Sequence, residues 1–252
     1  MEVHAHTHAH GKKTWKSYFW EFLMLFLAVF CGFLAENQRE HLVEHKREKE
    51  FMSSMQSDLR TDTFNLNAMH QTFVDVNQHI DSLIILLKKV EPLNNNAERI
   101  YQHQVFINSF FKWIYTDRTI NQLKNSGNFR LIRNKDISDL IINYDGFVTN
   151  FVGNMQDMYI LPQWRNVNES STDIFKSSVF RSFLKDGGWS NHSIQLPDKP
   201  YFLSEDKIKI QKFINLLEQY VVAIEWFNIN TVSAVQKALQ LDSAIQKKYS
   251  LK

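Results

Sequence analysis

From Phe33 to Glu91 the chain contains no glycine and no proline. A sandwich or barrel needs a turn every ~8 to 12 residues, so this interval is hard to fold as anything but helix. The stretch from Glu36 to Glu50 is mostly Glu, Lys, Arg, Gln and His, which suits a solvated helix. Beyond it apolar residues recur at alternating steps of three and four: Met52, Met55, Leu59, Leu66, Met69, Phe73, Val76, Ile80, Leu83 and Leu87, with Asp62 holding the one missing place. A seam at that period packs against a partner helix in coiled-coil fashion. We expect the helix to rotate at Asp62, since a straight helix drifts off a heptad seam; the alternative is a polar layer.

The end of the chain repeats the pattern. Ser204, Glu205 and Asp206 form a helix start signal, and Ile210, Phe213, Leu217, Tyr220, Ile224, Phe227, Thr231, Ala234, Ala238, Leu241 and Ile245 keep the three-four alternation. Lys247 and Lys248 suit its C-terminal dipole. Between the two seams, Pro92 and Asn94 to Asn96 end the first helix, and Ile100, Tyr101, Val105, Phe106, Phe110, Phe111 and Ile114 predict a helix with a wide aromatic face. Asp117 is expected to cap a short helix stopping at Ser126 and Gly127. Asn128 to Arg133 reads as extended, and Asn134 caps a helix running towards Pro162, with Gly146 and Gly153 weakening its middle. Residues 166 to 204 form an irregular insert, with a short helix around Ile174 to Leu184 and a turn at Gly187 and Gly188.

Upstream of the first seam lies FLMLFLAVFCGFLA, Phe22 to Ala35, without a charged side chain; Tyr18, Phe19 and Trp20 extend it towards the ~20 residues that span hydrocarbon. Trp15, Tyr18 and Trp20 cluster at one end with Lys12, Lys13 and Lys16 outside them, the arrangement of a helix leaving a bilayer. A cleavable signal peptide fits poorly, because Phe30 and Phe33 stand where small residues are needed. A lipoprotein signal fails for the same reason, Phe30 preceding Cys31 directly. A buried core helix is the remaining rival. The lysines before the segment, against Arg39 alone just after it, favour a cytoplasmic N-terminus and a C-terminal domain outside the cytoplasm.

The expected architecture is therefore all-α: a His-rich tail over 1–14, a transmembrane anchor over 15–36, and a helical domain over 37–252. In that domain the anchor helix continues into the long first helix of an elongated antiparallel bundle, and the first and last helices lie side by side. The formal charge of +2, with basic residues dispersed, gives no nucleic-acid surface. The expected partners are the lipid bilayer and a second copy of the chain or another protein. The single Cys31 rules out an intramolecular disulfide.

Candidate chemistry is sparse. His4, His6, His8 and His10 in HAHTHAH place alternate imidazoles where they can converge on Zn, Ni or Cu, although a flexible tail loses ordering entropy on binding. His41, Glu44 and His45 spell H-L-V-E-H, the inverted zinc-protease pattern, but in a charge-rich helix without a third ligand or walled cleft. No glycine-rich phosphate loop, cysteine pair or G-x-S-x-G turn is present. His70, His79, His103 and His192 are isolated in sequence and read as structural or surface histidines. No catalytic residue and no cofactor is assigned.

The blocks EFLMLFLAVFCGFLAEN, REH and REKEF with DLRTDT, and NSGNFRLIRNKDISDLIINYD resemble a family of uncharacterised bacterial single-pass membrane proteins, over most of residues 1 to 150. The resemblance implies a membrane anchor with a helical domain and carries no site residues; the His-rich start is similar too. The leading expectation is a non-enzymatic, membrane-tethered helical sensor or interaction module in the cell membrane. A metal-handling membrane protein using the tail is the alternative, and a membrane-bound metal-dependent hydrolase on His41, Glu44 and His45 the last.

Overall fold

In the computed structural model, residues 14–89, 92–185, 194, 196 and 198–250 are described. The HAHTHAH tail, the Gly187–Gly188 turn and His192 lie outside them. Every element of regular structure among the described residues is helical, apart from one isolated bridge between Phe175 and Phe202. The chain divides into two units, Met1–Glu50 and Phe51–Lys252.

Helix α1, Trp15–Leu87, carries both the apolar segment and the first seam. An 18-residue stretch of it has a mean hydropathy of 2.0 and buries none of its residues, so the helix is long and apolar enough to cross a membrane. Phe22, Leu25, Phe26, Val29, Phe30 and Phe33 are exposed around it.

In the second unit the seam behaves as its period dictates: Met52, Met55, Leu59, Leu66, Met69, Phe73, Val76, Ile80, Leu83 and Leu87 are all buried. So are all the seam residues of the last helix, α7, Lys207–Tyr249. The two helices run antiparallel. Gln56 Nε2 donates to Asp242 at 2.8 Å, the Phe73 and Phe227 rings meet edge to face at 5.2 Å, and Lys88 lies 3.4 Å from Glu218. Asp206 caps α7, its Oδ1 accepting from the backbone N–H groups of Ile208 and Lys209.

Asp62 does not rotate out of the seam. It is 1% exposed and forms a polar layer, Oδ1 accepting from Thr116 N–H and Oδ2 from the Tyr144 hydroxyl, each at 2.9 Å. One turn earlier Asp58, also buried, accepts from Arg118 at 2.7 Å and from the Thr119 N–H at 3.0 Å, capping the start of α3, Arg118–Asn125. Burial holds the Asp62 carboxyl above its ordinary value, against the bonds from Thr116 and Tyr144.

The largest departure from expectation lies in the segment just before α3. Helix α2, Ala97–Asn108, stops before the aromatic run, and Ser109 to Asp117 contain no helix. A non-helical segment must find other partners for its backbone donors. Here Gln156 Oε1 accepts from Trp113 N–H at 3.1 Å and Asp62 from Thr116 N–H. Asn128–Leu131 forms a 3-10 turn after Gly127, whose φ of 65° is the left-handed conformation that glycine adopts freely.

Pro162 does not end the next helix. Helix α4, Lys135–Phe147, capped by Asn134 Oδ1 accepting from Ile137 N–H, runs on through two π-helical segments, Val148–Gly153 and Gln156–Ile160, into α5, Leu161–Ser171. The proline follows Leu161 at the start of α5, and the helix continues through it. The buried side chains explain the winding: Tyr144, Val148, Val152, Gln156 and Ile160 follow one another in steps of four. At ~3.6 residues per turn, each such step overshoots the core by about 40°, so α winding alone would carry the stripe away from the core. The wider π turns keep it facing inward.

Helix α6, Ser177–Lys185, fills the expected place. Tyr101 pins this region: its hydroxyl donates to Tyr201 O at 2.9 Å, accepts from Lys176 N–H at 2.8 Å, and its ring packs on Phe175, Phe180 and Phe202.

Candidate functional site

The π-wound stretch and α7 leave a groove of about 1060 Å³ between them. Its apolar lining comes from Phe151, Met155, Met158 and Tyr159 on one side and Val222, Ala223, Trp226 and Ile229 on the other. The burial pattern explains why these side chains are available. With the core stripe on Val148, Val152, Gln156 and Ile160, the intervening Phe151, Met158 and Tyr159 are turned outward and remain more than half exposed, at 54%, 67% and 58%. On α7 the seam residues Tyr220, Ile224 and Phe227 point inward, which leaves Val222, Trp226 and Ile229 outward; Trp226 is 64% exposed.

The polar part of the lining is amide: Asn150, Asn154, Gln163, Gln219 and Asn230. No lining residue is charged. Asn150 donates to Gly146 O at 2.7 Å, and Asn230 to Trp226 O at 2.9 Å and to Met155 Sδ at 3.2 Å, which ties the two walls together. The Gln163 carbonyl oxygen is buried and without a hydrogen-bond partner among the described residues. A half-open apolar groove with a few amides suits an uncharged ligand, held by contact area and oriented by hydrogen bonds. π turns recur at functional sites because they displace side chains from helical register, as they do here.

The histidines of the sequence analysis have separate fates. His41 Nδ1 lies 3.9 Å from Glu44, whereas His45 Nδ1 lies 3.2 Å from Glu48, so each imidazole faces its own carboxylate. No group of three or more metal-ligating side chains occurs among the described residues. His79 of α1 and His103 of α2, isolated in sequence, are brought together: their Nδ1 atoms are 3.0 Å apart. Burial lowers the proton affinity of both, and the neighbouring Arg99 lowers that of His103 further, while Asp75 acts in the opposite sense on His79.

Neither the groove nor the histidine pair was singled out from the sequence. The groove had one legible signal, the steps of four from Tyr144 to Ile160, which mark π winding and therefore displaced side chains. Comparison of the chain with family models, curated proteins and solved structures finds no match.

Proposed function

We propose that this chain is a single-pass membrane protein whose helical unit binds an uncharged, largely apolar small molecule in the groove between the π-wound stretch and α7. The observation that carries the reading is the lining: exposed Phe151, Met158, Tyr159, Trp226 and Ile229 beside five amides and no charge, around a volume suited to a drug-sized ligand. Exposed aromatics at this density weaken solubility unless they serve binding. Membrane tethering is supported by the uncovered apolar stretch of α1, for which a bilayer is the fitting solvent. In this reading the protein is a sensor or carrier of that molecule.

The test is photo-crosslinking of the full-length protein in nanodiscs with a long-chain alcohol carrying a diazirine, mapped by mass spectrometry. Labelling at Phe151, Met158 or Trp226 that is lost in Ile229→Asp is the expected result. Labelling confined to the Phe22–Phe33 stretch overturns the groove as a site.

A further inference from the structure

We propose that His79 and His103 form a two-imidazole chelate for a tetragonal divalent ion, copper or nickel, that clasps α1 to α2. Two nitrogens bound to one ion at ~2.0–2.1 Å stand about 2.9 Å apart at a 90° angle and about 3.3–3.4 Å apart at the tetrahedral angle. The observed Nδ1–Nδ1 separation is 3.0 Å, the span of an N–H···N hydrogen bond and also close to that of adjacent corners of a square. The pair is also oriented. The His79 ring stacks on Phe106 with centroids 4.0 Å apart and planes 9° from parallel, and the two imidazole planes meet at 64°.

Without metal, one ring donates its Nδ1–H to the other. To bind the ion, the donor ring moves that proton to Nε2, so both rings stay neutral and each Nδ1 carries a free lone pair. Both side chains are half-buried, which leaves the remaining corners of the square to water. Asp75, one turn before His79, offsets the added charge; Arg99, one turn before His103, opposes it. The ion joins two helices whose histidines are 24 positions apart, so binding favours the docked arrangement of α2 on α1.

The experiment uses the full-length chain in detergent with His4, His6, His8, His10, His41 and His45 replaced by alanine, which removes the competing imidazoles of the tail and of the H-L-V-E-H turn. Cu2+ is titrated to one equivalent and read by electron paramagnetic resonance. The expected result is one tetragonal Cu2+ per chain with hyperfine coupling to two imidazole nitrogens, and an affinity more than about tenfold weaker in His79→Gln and in His103→Gln. Circular dichroism melting establishes that each variant is folded. Absence of stoichiometric binding, or unchanged affinity in either folded variant, overturns the proposal. If neither variant folds, the parent spectrum decides: coupling to fewer than two imidazoles overturns it, and two-imidazole coupling with a copper-dependent rise in melting temperature upholds it.

Discussion

The Tyr144 hydroxyl donates to Asp62 Oδ2 at 2.9 Å, across 82 positions of sequence, and joins the first seam helix to the helix that becomes the groove wall. Because Asp62 also receives the N–H of half-buried Thr116, its removal strands two donors at once, the Tyr144 hydroxyl fully buried.

Asp62→Ala should therefore destabilise the protein by about 1–3 kcal/mol, the cost of leaving buried polar groups unpaired. Asp62→Asn keeps an acceptor for Thr116 and should cost much less. The pH dependence has a definite sign. Burial raises the folded-state pKa of Asp62 above the ordinary 3.8. The folded form thus holds its proton longer than the unfolded chain, and the associated stability is full below 3.8 and lost as pH rises through the raised value. The stability of Asp62→Asn relative to wild type should accordingly increase with pH over that window. Denaturant melts at a series of pH values read it directly, and a pH-independent difference contradicts the assignment.

Asp58 and Arg118 form an asymmetric pair, the carboxylate buried and the guanidinium 62% exposed. Arg118→Ala should cost no more than about 1 kcal/mol, since a solvated arginine contributes little. Asp58→Ala should cost about 1–3 kcal/mol, because it also uncaps α3 at Thr119. Equal losses in the two variants would place the energy in the ion pair instead of the cap.

What the sequence reveals and what it hides divide along the range of the interactions. The seams of α1 and α7 were legible because one local period repeats over many turns, and a residue such as Leu66 or Ile224 is buried for no reason beyond its place in that period. Ser109 to Ile114 were misread as helix because Phe110, Phe111 and Ile114 sit at helical spacing. The deciding partners, Gln156 and Asp62, are remote and cannot be paired with Trp113 and Thr116 from one sequence. The groove was hidden for a related reason: exposure of Trp226 follows from which face α7 turns to α1, but an exposed wall on the opposite side exists only because the π turns keep Phe151 and Met158 outward. His79 and His103 meet only after α2 docks.

Phe73 and Phe227 carry the contact between the two seam helices at its aromatic layer. Either alanine substitution should cost about 3–5 kcal/mol, the usual loss for a buried phenylalanine. A double-mutant cycle should leave a coupling of about 0.5–1.5 kcal/mol for the edge-to-face pair. Additive losses would mean that the rings are buried independently.

Trp226→Ala should behave in the opposite way. The side chain is mostly exposed, so stability should change by no more than about 0.5 kcal/mol. Labelling of the groove by the diazirine alcohol should nevertheless fall, since the indole supplies much of one wall. A large loss of stability with unchanged labelling would assign Trp226 to folding and remove it from the site.

The proposed membrane orientation follows from charge placement. Lys12, Lys13 and Lys16 precede the apolar stretch and Arg39 follows it, so the N-terminus is expected in the cytoplasm and a reporter fused after Lys252 outside it. The bias is narrow, because Lys46, Arg47 and Lys49 follow within a few turns of α1. Replacing Lys12, Lys13 and Lys16 with glutamine should therefore shift reporters towards the opposite topology in a measurable fraction of molecules. A C-terminal reporter that is cytoplasmic in the parent contradicts the orientation and directs the search for the groove's ligand to the cytoplasm.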